Sequence, residues 1–144
     1  MKLLLSGLML LVVIVCHAQN MQINLSIKGE KLLVSLDENN SNRTFSLKKS
    51  NINSTGCFTA TVLNEEIDTS WQRSFTIHNA ADSEIAALKY TKDDNYCISL
   101  NELIPKLQTG NQYYLYTIAL PKDIKKQMLV RAVRRMVCKI IIKN

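Results

Sequence analysis

Apolar and polar residues alternate with a period of two in run after run of this chain, and polar turn clusters close each run. Successive side chains of a strand point to opposite faces, so such alternation builds half-buried sheet. Ile23, Leu25 and Ile27 alternate with Asn24 and Ser26, and beyond Lys28-Gly29 the pattern resumes through Leu32, Val34 and Leu36. Period two on both sides of a glycine turn predicts a hairpin. Phe45 and Leu47 make a short strand, residues 57–63 are rich in Thr, Val and Phe, and Phe75 and Ile77 share one face of residues 74–78. Tyr96, Ile98 and Leu100 predict another strand, and Tyr114, Tyr116, Ile118 and Leu120 the clearest of all. Residues 85–90 read both ways: Glu84, Ala86, Ala87 and Leu88 favour helix locally, whereas the Asp93-Asp94-Asn95 turn that follows suits an edge strand. A chain of 144 residues, 47% hydrophobic and 21% charged, is enough for one core and lies outside the disordered and low-complexity classes. The expected fold is all-β, an antiparallel sandwich of about seven to nine short strands with one short helical turn before the penultimate strand.

Residues 1–18 follow a different pattern. Lys2 is a short positive segment, residues 3–15 are interrupted only by Ser6 and Gly7, and Cys16-His17-Ala18 places small residues three and one positions before a cut. This apolar run falls short of the roughly 20 residues that cross a bilayer comfortably. The expectation is a signal peptide over residues 1–18, cleaved to leave residues 19–144 as one secreted or periplasmic domain with no membrane-spanning segment. A lipid anchor on Cys16 is disfavoured because Val15 stands where that processing wants Gly, Ala or Ser. Export would leave Cys57, Cys97 and Cys138 where disulfides persist, with at most one internal bridge among the three and its pairing open. One remaining histidine and no C-x-x-C spacing argue against zinc, and no cofactor is expected. Abundant Asn, Lys and Ile point to a bacterial envelope; Asn24, Asn39, Asn42 and Asn53 fit glycan acceptors, which would matter only in a eukaryotic secretory route.

Leu107-Gln108-Thr109-Gly110-Asn111-Gln112-Tyr113 leads into the clearest strand. This L-x-x-G-x-x-Y spacing resembles the corner before the penultimate strand of fibronectin type III and other immunoglobulin-like sandwiches. The resemblance covers about twenty residues and implies that Leu107 plugs the end of the core, Gly110 permits the turn and the Tyr113 hydroxyl bonds back to the corner backbone. Thr109 replaces the usual proline, and Trp71, in polar loop-like surroundings, does not supply the early core tryptophan of that family. The resemblance implies a fold and no specific activity.

Charge collects in residues 121–144, where Lys122, Lys125, Lys126, Arg131, Arg134, Arg135, Lys139 and Lys143 face Asp123 alone: eight basic and one acidic, net +7. Residues 19–120 carry nine basic and eleven acidic groups, net −2. A helical turn over residues 123–129 is expected, then a strand over residues 133–142 paired with residues 113–120 and bulged near Arg134-Arg135. Val133, Arg135, Val137, Lys139 and Ile141 would share one strand face, opposite Arg134, Met136, Cys138, Ile140 and Ile142. Such charges either form the solvated face of a terminal strand or bind an anionic polysaccharide or cell-surface component. For binding, the candidates are Lys125, Lys126, Arg131, Arg134 and Arg135, with nucleic acid the less expected polyanion. Helical spacing of Ile124, Met128, Ala132, Met136 and Ile140 offers an alternative, an envelope- or membrane-associated protein with an amphipathic C-terminal helix. Trp71, beside Gln72 and Arg73, is the candidate contact for a protein partner.

No chemistry is expected. Only His78 remains to serve a Ser-His-Asp or Cys-His site, and no G-x-S-x-G elbow, glycine-rich phosphate loop or H-E-x-x-H helix is present. The acids Glu65, Glu66, Asp68, Asp82, Glu84, Asp93 and Asp94 fall in turn-like clusters. The sequence thus reads as a non-catalytic binding or assembly module.

Overall fold

A computed structural model describes residues 21–36, 43–48, 50, 55–63 and 69–144. The expected leader over residues 1–18, the acceptors at Asn39, Asn42 and Asn53, and Glu65, Glu66 and Asp68 lie outside the described residues. The fold is all-β, with nine strands among the described residues: β1 (Gln22–Ile27), β2 (Glu30–Ser35), β3 (Thr44–Lys48), β4 (Cys57–Leu63), β5 (Trp71–His78), β6 (Glu84–Tyr90), β7 (Asn95–Ser99), β8 (Gln112–Pro121) and β9 (Arg135–Lys143). They form one mixed sheet in the order β2-β1-β4-β7-β6-β5-β8-β9-β3. Every pairing is antiparallel except that of β3 with β9.

That sheet folds over on itself. Five strands separate β4 from β3, about 29 Å in a flat sheet at strand spacings of about 4.8 Å. Yet the rings of Phe58 on β4 and Phe45 on β3 lie 5.8 Å apart. The fold line runs through β6 and β7, which share only the pairs Lys89 with Cys97 and Tyr90 with Tyr96. The enclosed core takes alternate residues from each layer: Ile23, Leu25, Phe58 and Ile98 from one, Phe75, Ile77, Leu115 and Ile140 from the other, none more than 2% exposed.

Turn chemistry fixes the registers. Lys28 and Gly29 both have positive φ, 44° and 86°, as a two-residue hairpin of the favoured hand requires. Asp93 and Asp94, at 51° and 57°, repeat that turn between β6 and β7. Ambiguity over residues 85–90 resolves to strand because Ala86 and Leu88, two apart, are each 5% exposed, so burial on one sheet face overrides local helix preference. Cys57 and Cys97 are bridged, tying β4 to β7, while Cys138 is buried as a free thiol whose pKa burial pushes up to about 12.

The short helical element before the penultimate strand is present as α1 (Leu100–Leu103), capped by the Ser99 hydroxyl accepting from the Glu102 N–H at 3.2 Å, and a 3-10 turn (Ile104–Lys106). At the following corner the Tyr113 hydroxyl accepts the Gln108 N–H at 2.8 Å, Leu107 packs against the core, and Gly110 takes φ +85°.

Four expectations are corrected. Trp71 opens β5 opposite Pro121 and does not sit in a loop, because the strand's alternation extends through it: Trp71 and Arg73, both half-buried, share the face of Phe75 and Ile77, while Gln72 and Ser74 are exposed on the other. The final strand begins at Arg135 and not at residue 133, and within β8 its partners are Gln112–Thr117 and not residues 113–120. Its bulge lies at Val137, not at Arg134-Arg135: Leu115 faces Cys138 and Tyr116 faces Met136, so Val137 is extra. Val137 and Cys138 are therefore both buried, which separates Val137 from the expected outer set of Arg135, Lys139 and Ile141. Finally, the C-terminal helix is the single turn α2 (Ile124–Gln127), so no amphipathic helix runs through residues 121–144.

Candidate functional site

The connection between β8 and β9 carries five of the eight basic residues of 121–144, and its roots are fixed from both sides. At the near end the Lys122 N–H donates to the Ser70 carbonyl at 2.8 Å and the Gln127 amide donates to the Pro121 carbonyl at 2.7 Å. Asp123 caps α2, its Oδ1 accepting the Lys125 N–H at 2.9 Å, a usual role for Asp at a helix start. At the far end Arg134 donates to both carboxylate oxygens of Asp82, at 2.9 and 3.0 Å, and its guanidinium lies 4.1 Å above the Tyr116 ring. Hydrogen bonding to Arg134 holds the Asp82 carboxyl below its usual range, and the same contact raises Arg134.

Arg134 is thus a clamp, occupied twice over, and not a free binding cation. Lys122, Lys125, Lys126, Arg131 and Arg135 are exposed and make no ion pair among the described residues. Between the roots the chain also exposes Ile124 at 75%, Met128 at 86%, Leu129 at 84% and Val133 at 61%. These are four of the seven exposed large apolar side chains among the described residues, all within ten positions. Such clustering marks an interaction surface, whereas single exposed apolar residues do not.

Trp71 stands at the same end. It is half-buried, paired with Pro121 in the ladder, and lines a cleft of about 450 Å³ with Arg73, Tyr90, Asp94, Tyr96 and Lys122. The two surfaces expected separately from the sequence, Trp71 and the basic segment, therefore meet at Lys122. Arg73 also donates to the Thr117 hydroxyl at 3.0 Å, which in turn donates to the Ser74 carbonyl at 3.0 Å, so the buried Thr117 is satisfied.

His78 occupies the opposite end of β5. Its Nε2 is 3.0 Å from the Thr76 hydroxyl, and its Nδ1 is 3.1 Å from the Asp82 carbonyl and 3.4 Å from the Asp82 carboxylate. A hydroxyl, an imidazole and a carboxylate in line have the order of a catalytic triad. Here the carboxylate is bound on both oxygens by Arg134, the His78 ring is 7% exposed with Tyr116 edge-on at 5.1 Å, and neither Thr76 nor His78 lines the Trp71 cleft or the cleft of about 600 Å³ beside Gly110 and Tyr113. The cluster seats the Arg134 clamp: Tyr116 is held between His78 and the guanidinium.

Sequence reasoning singled out neither Asp82 nor Tyr116 as partners of Arg134, nor the exposed apolar group. Asp82 was visible only as a turn acid, and its pairing spans 52 residues. Protein-family models, curated proteins and solved structures contain no match to the chain. No helix among the described residues is long and apolar enough to cross a membrane.

Proposed function

We propose that this is a small exported binding module, built as an immunoglobulin-like sandwich and acting without catalysis, that recognises polyanionic surfaces through the β8–β9 connection. The observation that carries the reading is the set of five exposed cations, Lys122, Lys125, Lys126 and Arg131 on a connection pinned at both roots and Arg135 where it enters β9. Pinning lowers the ordering entropy that a loose basic tail would lose on binding. The Cys57–Cys97 bridge supports an oxidising compartment. The Tyr113 hydroxyl bond at the corner and the two-layer strand arrangement support the immunoglobulin-like reading. Arginines supply forked donors for sulfate, phosphate or carboxylate, and lysines add less directional charge.

Heparin retention across a salt gradient tests this. The folded protein is expected to elute late and to lose retention steeply as salt rises, because bound cations displace counterions from the polyanion. A Lys125→Ala/Lys126→Ala/Arg131→Ala/Arg135→Ala variant is expected to elute early with unchanged thermal stability. Early elution of the parent protein, or late elution of the variant, would reject the connection as a polyanion site.

A further inference from the structure

Resting on that reading, we infer that the polyanionic surface is an anionic lipid bilayer, into which Ile124, Met128, Leu129 and Val133 insert while Lys122, Lys125, Lys126 and Arg131 bind headgroup phosphates. A soluble polyanion engages the cations alone and leaves four large apolar side chains, 61 to 86% exposed, in water. A bilayer interface engages both sets, since apolar side chains enter the acyl boundary and lysine and arginine stems reach back to the headgroups.

The local structure agrees. These side chains sit on a connection between two strands with a single helical turn and no regular structure from residue 128 to 134, and the apolar and basic side chains alike are exposed. A fluid surface takes up such side chains without needing a matching pocket. The charge also disfavours a second copy of this chain as occupant: with Arg134 committed to Asp82, five cations against Asp123 give each copy a local net charge of +4, and two such surfaces repel. An anionic headgroup layer removes that repulsion, with each cation near the surface contributing about a fivefold gain in binding.

Flotation of the folded protein with phosphatidylcholine vesicles, and with vesicles containing phosphatidylglycerol, provides the test, with heparin retention measured in parallel. Binding to the anionic vesicles is expected to exceed binding to the neutral ones by more than tenfold. A Met128→Gln/Leu129→Gln variant is expected to lose more than tenfold of the vesicle binding and none of the heparin retention, since both positions are exposed and neither the net charge nor the core is altered. Heparin retention without vesicle binding, or vesicle binding untouched by Met128→Gln/Leu129→Gln, would overturn the lipid inference and leave polyanion recognition standing. Absence of both would overturn both. Sedimentation as a dimer that Met128→Gln/Leu129→Gln makes monomeric would overturn the lipid inference in favour of a self-association surface.

Discussion

The bridge between Cys57 and Cys97 should contribute much of the stability of this domain, through the unfolded chain more than the folded one. The two residues are 40 apart, and β4 and β7 are already paired in the ladder, so the native contacts change little when the bond is cut. In the unfolded chain the bond closes a loop of about 40 residues. Losing that constraint returns about 13 cal/mol/K of chain entropy, about 4 kcal/mol at 25 °C. For the 108 described residues the unfolding entropy near the melting point is about 230 cal/mol/K, so Tm should fall by about 17 °C. Urea and thermal unfolding of a Cys57→Ser/Cys97→Ser variant give the two numbers. Thiol labelling supplies the check on pairing: Cys138, with its thiol pushed up to about 12 by burial, should be silent in the native protein and label once on unfolding. A stability loss below about 1 kcal/mol, or peptide mapping that finds Cys138 in the bridge, would refute the argument.

Two other perturbations separate the corner from the clamp. Tyr113→Phe removes the acceptor of the Gln108 N–H and should cost about 1 kcal/mol in urea unfolding with the strands intact; an unchanged midpoint would mean that the hydroxyl does not hold the corner. The folded Asp82 carboxyl lies below its ordinary value of 3.8, so its stabilisation is fully present above that pH and is lost as pH falls through the lowered value. Wild type should therefore melt above Asp82→Asn at pH 6, and the gap should close at pH 2; a gap that persists in acid would place the effect outside the Arg134 pair.

How much of this was legible in the sequence depended on distance along the chain. The first hairpin, the corner at Leu107, Gly110 and Tyr113 and the alternating strands rest on neighbours a few residues apart, so local spacing exposes them. Trp71 escaped because its strand partner, Pro121, is contributed by β8, and its own neighbours Gln72 and Arg73 mimic a loop. The Val137 bulge was expected nearby but at Arg134-Arg135, since a two-for-one pairing is set by the opposing strand and leaves no mark in β9 itself. The spacing of Ile124 and Met128 looked like the apolar face of an amphipathic helix that could lie on a membrane. Tertiary structure ended that helix after one turn and left both side chains in water.

The lone parallel pairing sets an order of events during folding. β3 lies at the end of the sheet, and among the described residues its only strand partner is β9, with Thr44 matched to Lys139 and Lys48 to Lys143. Until residues 139–143 have been synthesised, Phe45 and Leu47 have no ladder to hold them and Phe45 is not fixed against Phe58, so one side of the core stays open to water while the seven strands from β2 to β8 in sheet order can already pair. Closure of that side of the core is then a late, long-range step, slow by the measure of contact separation, and a chain shortened by those five residues would keep its hairpins and lose its seal.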